Sequence, residues 1–319
     1  MNAWDELVER CARRRNEKIG PLSEEAYAEL LLAVRQNPAD FADEAPEQAL
    51  LVLARALDAY RASLGHDEML DDEAFEAERA RRLAALRAEC ERAAAIDPGC
   101  LDARTTGLLA AELDPDQLGA ALLDLGNAHR RDSAPEGDAW DDVFYRPYVR
   151  LCAAAARVCL DGARFAMAAS AAEWVTGITP SDPLGARHTH MLACARLEDE
   201  AGLGALEARW AGHESAWSHL ARVLLLYKLD RLTAARRALR GFDQLVSGGA
   251  YALLRPIFVE PYLLDRPEAA PCSFEEALMA VREAEPIITD VPEFIAWCQG
   301  HDWLVESART FAERSDLDW

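Results

Sequence analysis

Between residues 144 and 247 the chain runs the same course three times. "YRPYVRLCAAAARVCLDGARFAMAASAAEWVTGITPSDP" reads as helix, turn near Gly162, helix and proline stop, and "GARHTHMLACARLEDEAGLGALEARWAG" and "SAWSHLARVLLLYKLDRLTAARRALRGF" follow the same path. Helix–turn–helix units about 34 residues apart constrain a chain more than composition does, because each unit leaves an apolar face that its neighbour in sequence must cover. Every apolar run long enough to judge follows the helical period, so the chain is expected to be all-α, with about 14 to 16 helices and no sheet. Residues 144–247 are expected to form three consecutive antiparallel helix pairs.

The rest of the chain reads the same way. Residues 3–18 and 23–36 predict two helices, the second opened by Ser23 with Glu24 and Glu25 in its first turn, where carboxylates complement exposed N–H groups. In "PEQALLVLARALDAYRASLG", Leu50, Leu53, Ala54, Leu57 and Tyr60 recur at helical spacing, and Gly65 ends the run. From residue 72 one helix ends at "IDPG", another begins and breaks at "LDPDQ", and a third starts there, with Asp114 as N-cap, Pro115 in the first turn and Gln117 as capping-box partner. "RRDSAPEGDA" is polar enough to be a linker.

In "ARFAMAASAAEWVTGITPSD", Ala168, Ala172 and Pro180 resemble the small, middle and terminal-proline positions of a tetratricopeptide repeat, and Ala93 and Pro98 do the same in "LRAECERAAAIDPGCLDA". "RPYVRL", "TPSDPLGAR", "AWSHLARVLLLYK" and "EPYLLDR", in that order, resemble a bacterial family of tetratricopeptide-like proteins of unassigned function, over roughly residues 70–300. Val175 and Arg240 stand where that pattern has small residues, and the proline expected before Trp217 is missing. The resemblance implies a right-handed superhelical array of antiparallel helix pairs, an α-solenoid, with additional N- and C-terminal helices. Expected segments are N-terminal helices 1–66, repeat-like helices 67–130, a linker 131–143, repeats 144–262 and a C-terminal helical cap 263–319.

Composition excludes some partners. Fifty-six acidic against 34 basic side chains give a formal charge of −22, a field that repels phosphate backbones and anionic lipid, so neither nucleic acid nor membrane is an expected partner. The N-terminus lacks the apolar run of a signal peptide and no segment is long and apolar enough to span a bilayer, which predicts a cytoplasmic protein. The eight cysteines are scattered, never as C-x-x-C, and read as small buried hydrophobes in a reducing compartment.

The densest cluster of ligand-type side chains is His188, His190 and Cys194. On a helix starting near Leu184, His190 and Cys194 are i and i+4 and share a face, the spacing that zinc ligands use, whereas His188 lies about 200° round from His190. Further ligands would have to come from Cys152, Cys159 or His219. The simpler expectation is a helix joint: Cys194 packs inward, His190 fills a tight helix-to-helix position, Ser181 or Asp182 caps, Pro183 fits the first turn, and Gly185 lets the preceding helix approach. No metal or cofactor is expected. No G-x-S-x-G, H-E-x-x-H, Walker or dinucleotide motif occurs, so no enzyme is expected. Ser273-x-x-Glu276 reads as a capping box, and Asp290-x-x-Glu293 with Pro292 comes close to one.

Arginines carry the one binding expectation. In the repeat register Arg150, Arg157, Arg187 and Arg222 fall on three successive first helices, which line the concave face of such arrays, and a guanidinium fork suits carboxylates. With Met191 and Leu226 they make a candidate groove for a partner protein or peptide with an acidic segment or C-terminal carboxylate; the alternative is that they only pair with neighbouring Glu and Asp. Two other functions remain open: a metal-dependent enzyme or regulator using His188, His190 and Cys194, and a self-associating structural protein anchored by Trp4, Trp303 and Trp319.

Overall fold

The computed structural model describes residues 3–65, 67, 70–130, 134–291 and 293–319. Among them are sixteen α-helices and no strand, so the chain is all-α. None of the helices is long and apolar enough to cross a membrane. Two compact units are present, Met1–Leu151 with Leu263–Asp265, and Cys152–Tyr262 with Arg266–Trp319.

The first unit holds α1 (Ala3–Ile19), α2 (Glu24–Gln36), α3 (Ala45–Leu64), α4 (Asp72–Ile96), α5 (Leu101–Leu109) and α6 (Pro115–Ala128). All five residues of the periodic stripe on α3, from Leu50 to Tyr60, are buried, because one helical face carries them all against α1 and α4. Caps fall where polar side chains precede each run: Ser23 accepts from the Ala26 N–H, Asp71 from that of Ala74, and Asp114 from those of Asp116 and Gln117. In the polar stretch 131–143, residues 131–133 lie outside the described residues, Ala139–Asp141 makes a 3-10 turn, and Ala139 and Val143 are buried. The division between the units falls later, after Leu151, within α7 (Arg146–Asp161).

The second unit holds α8 (Phe165–Ile178), α9 (Ala186–Leu197), α10 (Glu200–Arg209), α11 (Ala216–Lys228) and α12 (Leu232–Leu245), then α13 (Gly249–Leu254), α14 (Phe274–Thr289), α15 (Glu293–Gln299) and α16 (Asp302–Ser315). Here α8 packs on α9, α9 on α10 and α11, and α11 on α12 and α14. Fully buried Ala168, Ala172, Ala193, Ala195 and Ala221 belong to this core.

Three turns in this unit share one geometry. After α7, α9 and α11 the residues Ala163, Glu198 and Asp230 adopt left-handed φ of 56°, 59° and 55°. The next N–H reaches back five residues in each case: Arg164 to the Cys159 carbonyl, Asp199 to Cys194 and Arg231 to Leu226, at 2.7, 3.0 and 3.0 Å. This closes the last helical turn, and after α7 and α11 it satisfies a carbonyl that would otherwise have no intrahelical donor. The turn expected at Gly162 is present, but the left-handed residue is Ala163, where a side chain carries a steric cost that glycine would avoid.

Candidate functional site

The proline-bracketed joint before α9 is built by Asp182 and Arg266. Asp182 stands at φ 48°, and its carboxylate accepts from the Ala186 and Arg187 N–H groups at 2.7 and 3.2 Å, so of the two expected caps it is Asp182 that closes the helix start. Arg266 donates Nε and Nη2 to the two oxygens of Glu283, each at 2.7 Å, Nη1 to the Leu184 carbonyl at 2.8 Å, and Nη2 to Thr189 Oγ1 at 2.8 Å. Gly185 is required here, at φ +61°, because a Cβ would lie 2.7 Å from His188 Cδ2 and 2.9 Å from Arg266 Nη1. The atoms nearest to that added Cβ belong to a histidine ring and an arginine.

His188, not His190, fills the tight position. It is buried and stacked on Trp217 with ring centroids 4.2 Å apart, and its Nδ1 lies 3.3 Å from Ser215 Oγ. Burial first, then the Arg266 and Arg187 charges, push its pKa well below the usual histidine value, so it is neutral at pH 7. His190 is half-buried, with its Nδ1 lacking a hydrogen-bond partner, and Cys194 is buried, its thiol pushed up to about 11 chiefly by burial. Among the described residues no group of three or more His, Cys, Asp or Glu side chains is placed to hold a metal ion. All eight cysteines are free, and burial raises Cys11, Cys90, Cys100 and Cys298 to about 12, which leaves them unreactive thiols.

The expected arginine groove needs correction. Arg150 is fully buried in the first unit, donating Nε and Nη2 to Asp102 at 2.9 and 2.8 Å and Nη1 and Nη2 to Glu6 at 2.9 and 2.8 Å. Arg10 also bonds Glu6, and the Trp140 ring lies 5.5 Å from the Arg150 guanidinium. In the second unit Arg157 is buried with its guanidinium 5.9 Å from the Tyr262 ring. Arg187 stacks 4.5 Å over Trp210 and stands 3.6 Å from Asp182, and Arg222 grips Glu207 with both Nε and Nη2. Met191 and Leu226 are buried core residues. Arg150 and Met191 therefore cannot line an open groove, and the alternative weighed in the sequence, internal pairing, describes Arg150, Arg187 and Arg222.

The tryptophans are likewise engaged within the chain: Trp4 donates to Asp58, Trp303 lies under Arg240 at 4.8 Å, and Trp319 under Arg255 at 5.2 Å. Ser273 caps α14 through the Glu276 N–H, but Glu276 does not complete the box. Its buried carboxylate accepts from Ala216 N at 2.8 Å and Cys272 N at 2.6 Å, capping α11 from sixty residues away. Of the second expected box, Pro292 lies outside the described residues.

Unpaired arginines do occur together, in a cleft that the sequence did not single out. Between α4, α5 and α6 a cleft of about 540 Å³ is lined by Ala94, Ala103, Gly107, Ala111, Ala121 and Ala128, with Arg87, Glu91, Arg104 and Asp124 also lining it. Arg87 and Arg104 are exposed and their side chains have no ion pair or hydrogen bond among the described residues, although most arginines of this acidic chain are paired. Gly107 keeps the lining low: a Cβ there would come 3.3 Å from Cys90 Cβ. Sequence could show that Arg87 and Glu91 share a helical face, but not that the arginine stays free.

No protein-family model matches the chain, and neither does any curated protein or solved structure.

Proposed function

We propose that this chain is a protein-interaction module, a tetratricopeptide-like superhelical array of antiparallel helix pairs that holds a peptide or helix of a partner protein bearing acidic side chains. The observation that carries the reading is the cleft between α4, α5 and α6, where two arginines whose side chains are unpaired among the described residues stand beside a lining made mostly of small residues. Small residues let bulky apolar side chains of a partner helix approach closely, and the guanidinium forks take its carboxylates in bidentate pairs. The three equivalent turns after α7, α9 and α11, and the packing of α8, α9, α11 and α12 in chain order, support the array reading.

The test is affinity capture from a native extract with the full chain and with the Arg87→Glu/Arg104→Glu variant, using Arg237→Glu as a surface-charge control. A partner retained by the wild type and the control but weakened by roughly tenfold or more in the double variant supports the reading. Equal capture by all three rejects this cleft as the binding surface.

A further inference from the structure

A second cleft lies wholly within the second unit and has a different chemistry. It measures about 550 Å³, is lined by α13, the irregular segment 256–261, α14 and α15, and presents Ile257, Phe258, Leu278 and Ile295. Ile257 and Phe258 are 39% and 59% exposed, a large apolar surface to leave in water. The volume lies within the roughly 300–1,000 Å³ of small-molecule sites. Arg282 is the one cation among its described lining residues.

The geometry of Arg282 says what it can take. Its Nη1 reaches Asp161 only at 3.3 and 3.5 Å, long for a charge-assisted bond, and the ring of Tyr262 lies 5.8 Å from the guanidinium. Nε and Nη2 make no hydrogen bond among the described residues, which leaves one edge of the fork open to a second carboxylate. Glu285 also lines the cleft but is exposed, so water screens its charge more than that of Arg282, whose side chain is 27% exposed.

We propose that this cleft binds a free long-chain fatty acid, with the alkyl chain against Ile257, Phe258, Leu278 and Ile295 and the carboxylate on the Nε/Nη2 edge of Arg282. An apolar trough with one half-buried cation favours an alkyl monocarboxylate over a neutral lipid, which would leave the guanidinium edge unpaired, and over a cationic amphiphile, which it would repel. The inference is independent of the partner-binding cleft in the first unit.

The full-length protein is titrated by calorimetry with dodecanoate below its micellar concentration, and with dodecyltrimethylammonium as the headgroup control. Saturable binding of one dodecanoate per chain is expected, weakened ~10- to 100-fold by Arg282→Gln, the scale of losing a hydrogen-bonded charge. Glu285→Gln should bind as well or better. Phe258→Asp, at a position 59% exposed, should also weaken binding, and it decides the matter if Arg282→Gln fails to fold. Absence of saturable binding, equal binding of the two amphiphiles, or unchanged affinity in a folded Arg282→Gln or in Phe258→Asp overturns the proposal.

Discussion

Arg150 and Asp102 meet through two hydrogen bonds of 2.9 and 2.8 Å, and each side chain is 1% exposed. Together with Glu6 and Arg10 they form a buried ionic cluster inside the first unit. Arg150→Met should cost about 3–5 kcal/mol, because Glu6 and Asp102 are left as buried carboxylates with one arginine between them. Arg150→Lys keeps the charge but not the fork, and should also destabilise, by a smaller amount. Chemical denaturation midpoints measure both.

The same cluster has a pH signature. Burial opposes charge on Asp102, yet Arg150 and then Arg10 outweigh it and hold the carboxyl below its usual value. A depressed carboxylate contributes stability that is full above the unfolded value of about 3.9 and is lost as pH falls through the lower folded value. The deficit of Arg150→Met relative to wild type should therefore shrink as the pH is taken below about 4, because protonation neutralises the stranded Asp102 carboxylate. A gap that stays constant across that range would contradict this.

His188 acts in the opposite range. Its folded pKa lies well below that of the unfolded chain, so below about pH 6.5 only the unfolded state takes up its proton and stability falls, by up to about 1.4 kcal/mol per pH unit. His190 and His219, also lowered chiefly by burial, add to the slope. His188→Gln should be less stable at pH 8, through lost stacking on Trp217, and show a flatter decline towards pH 5.5. Unfolding curves at a series of pH values separate the two effects.

Glycines in this chain should respond in opposite directions. Gly185→Ala places a Cβ against His188 and Arg266 at positive φ and should destabilise by more than about 1 kcal/mol. Gly204, inside α10, has nothing within 4 Å of an added Cβ, and Gly204→Ala should stabilise by about 0.5–1 kcal/mol through helix propensity. Differential scanning calorimetry of both variants reads the contrast.

Ala163 is the reverse case. It occupies the left-handed turn after α7 with a Cβ, and Ala163→Gly should raise stability by about 0.5–1 kcal/mol despite the larger entropy of the unfolded glycine. Ala163→Val should lower stability. A melting temperature that moves the same way in both variants would show that the turn is not strained.

Local chemistry is what the sequence determined by itself. Helical period placed Leu50, Leu53, Ala54, Leu57 and Tyr60 on one buried face of α3, and Ser23 and Asp114 marked helix starts, because periodicity and capping act over a few residues and leave their signal in neighbouring positions. The tertiary structure alone decided which charges stay free. Arg150 meets a glutamate 144 residues away, Glu276 caps a helix sixty residues before it, and Arg266 fills the space that Gly185 leaves, while the side chains of Arg87 and Arg104 meet no partner among the described residues. An arginine on a helix face looks the same in sequence whether a carboxylate from another helix comes to it or not. That encounter depends on how distant elements pack, and a side chain's local pattern holds no trace of it.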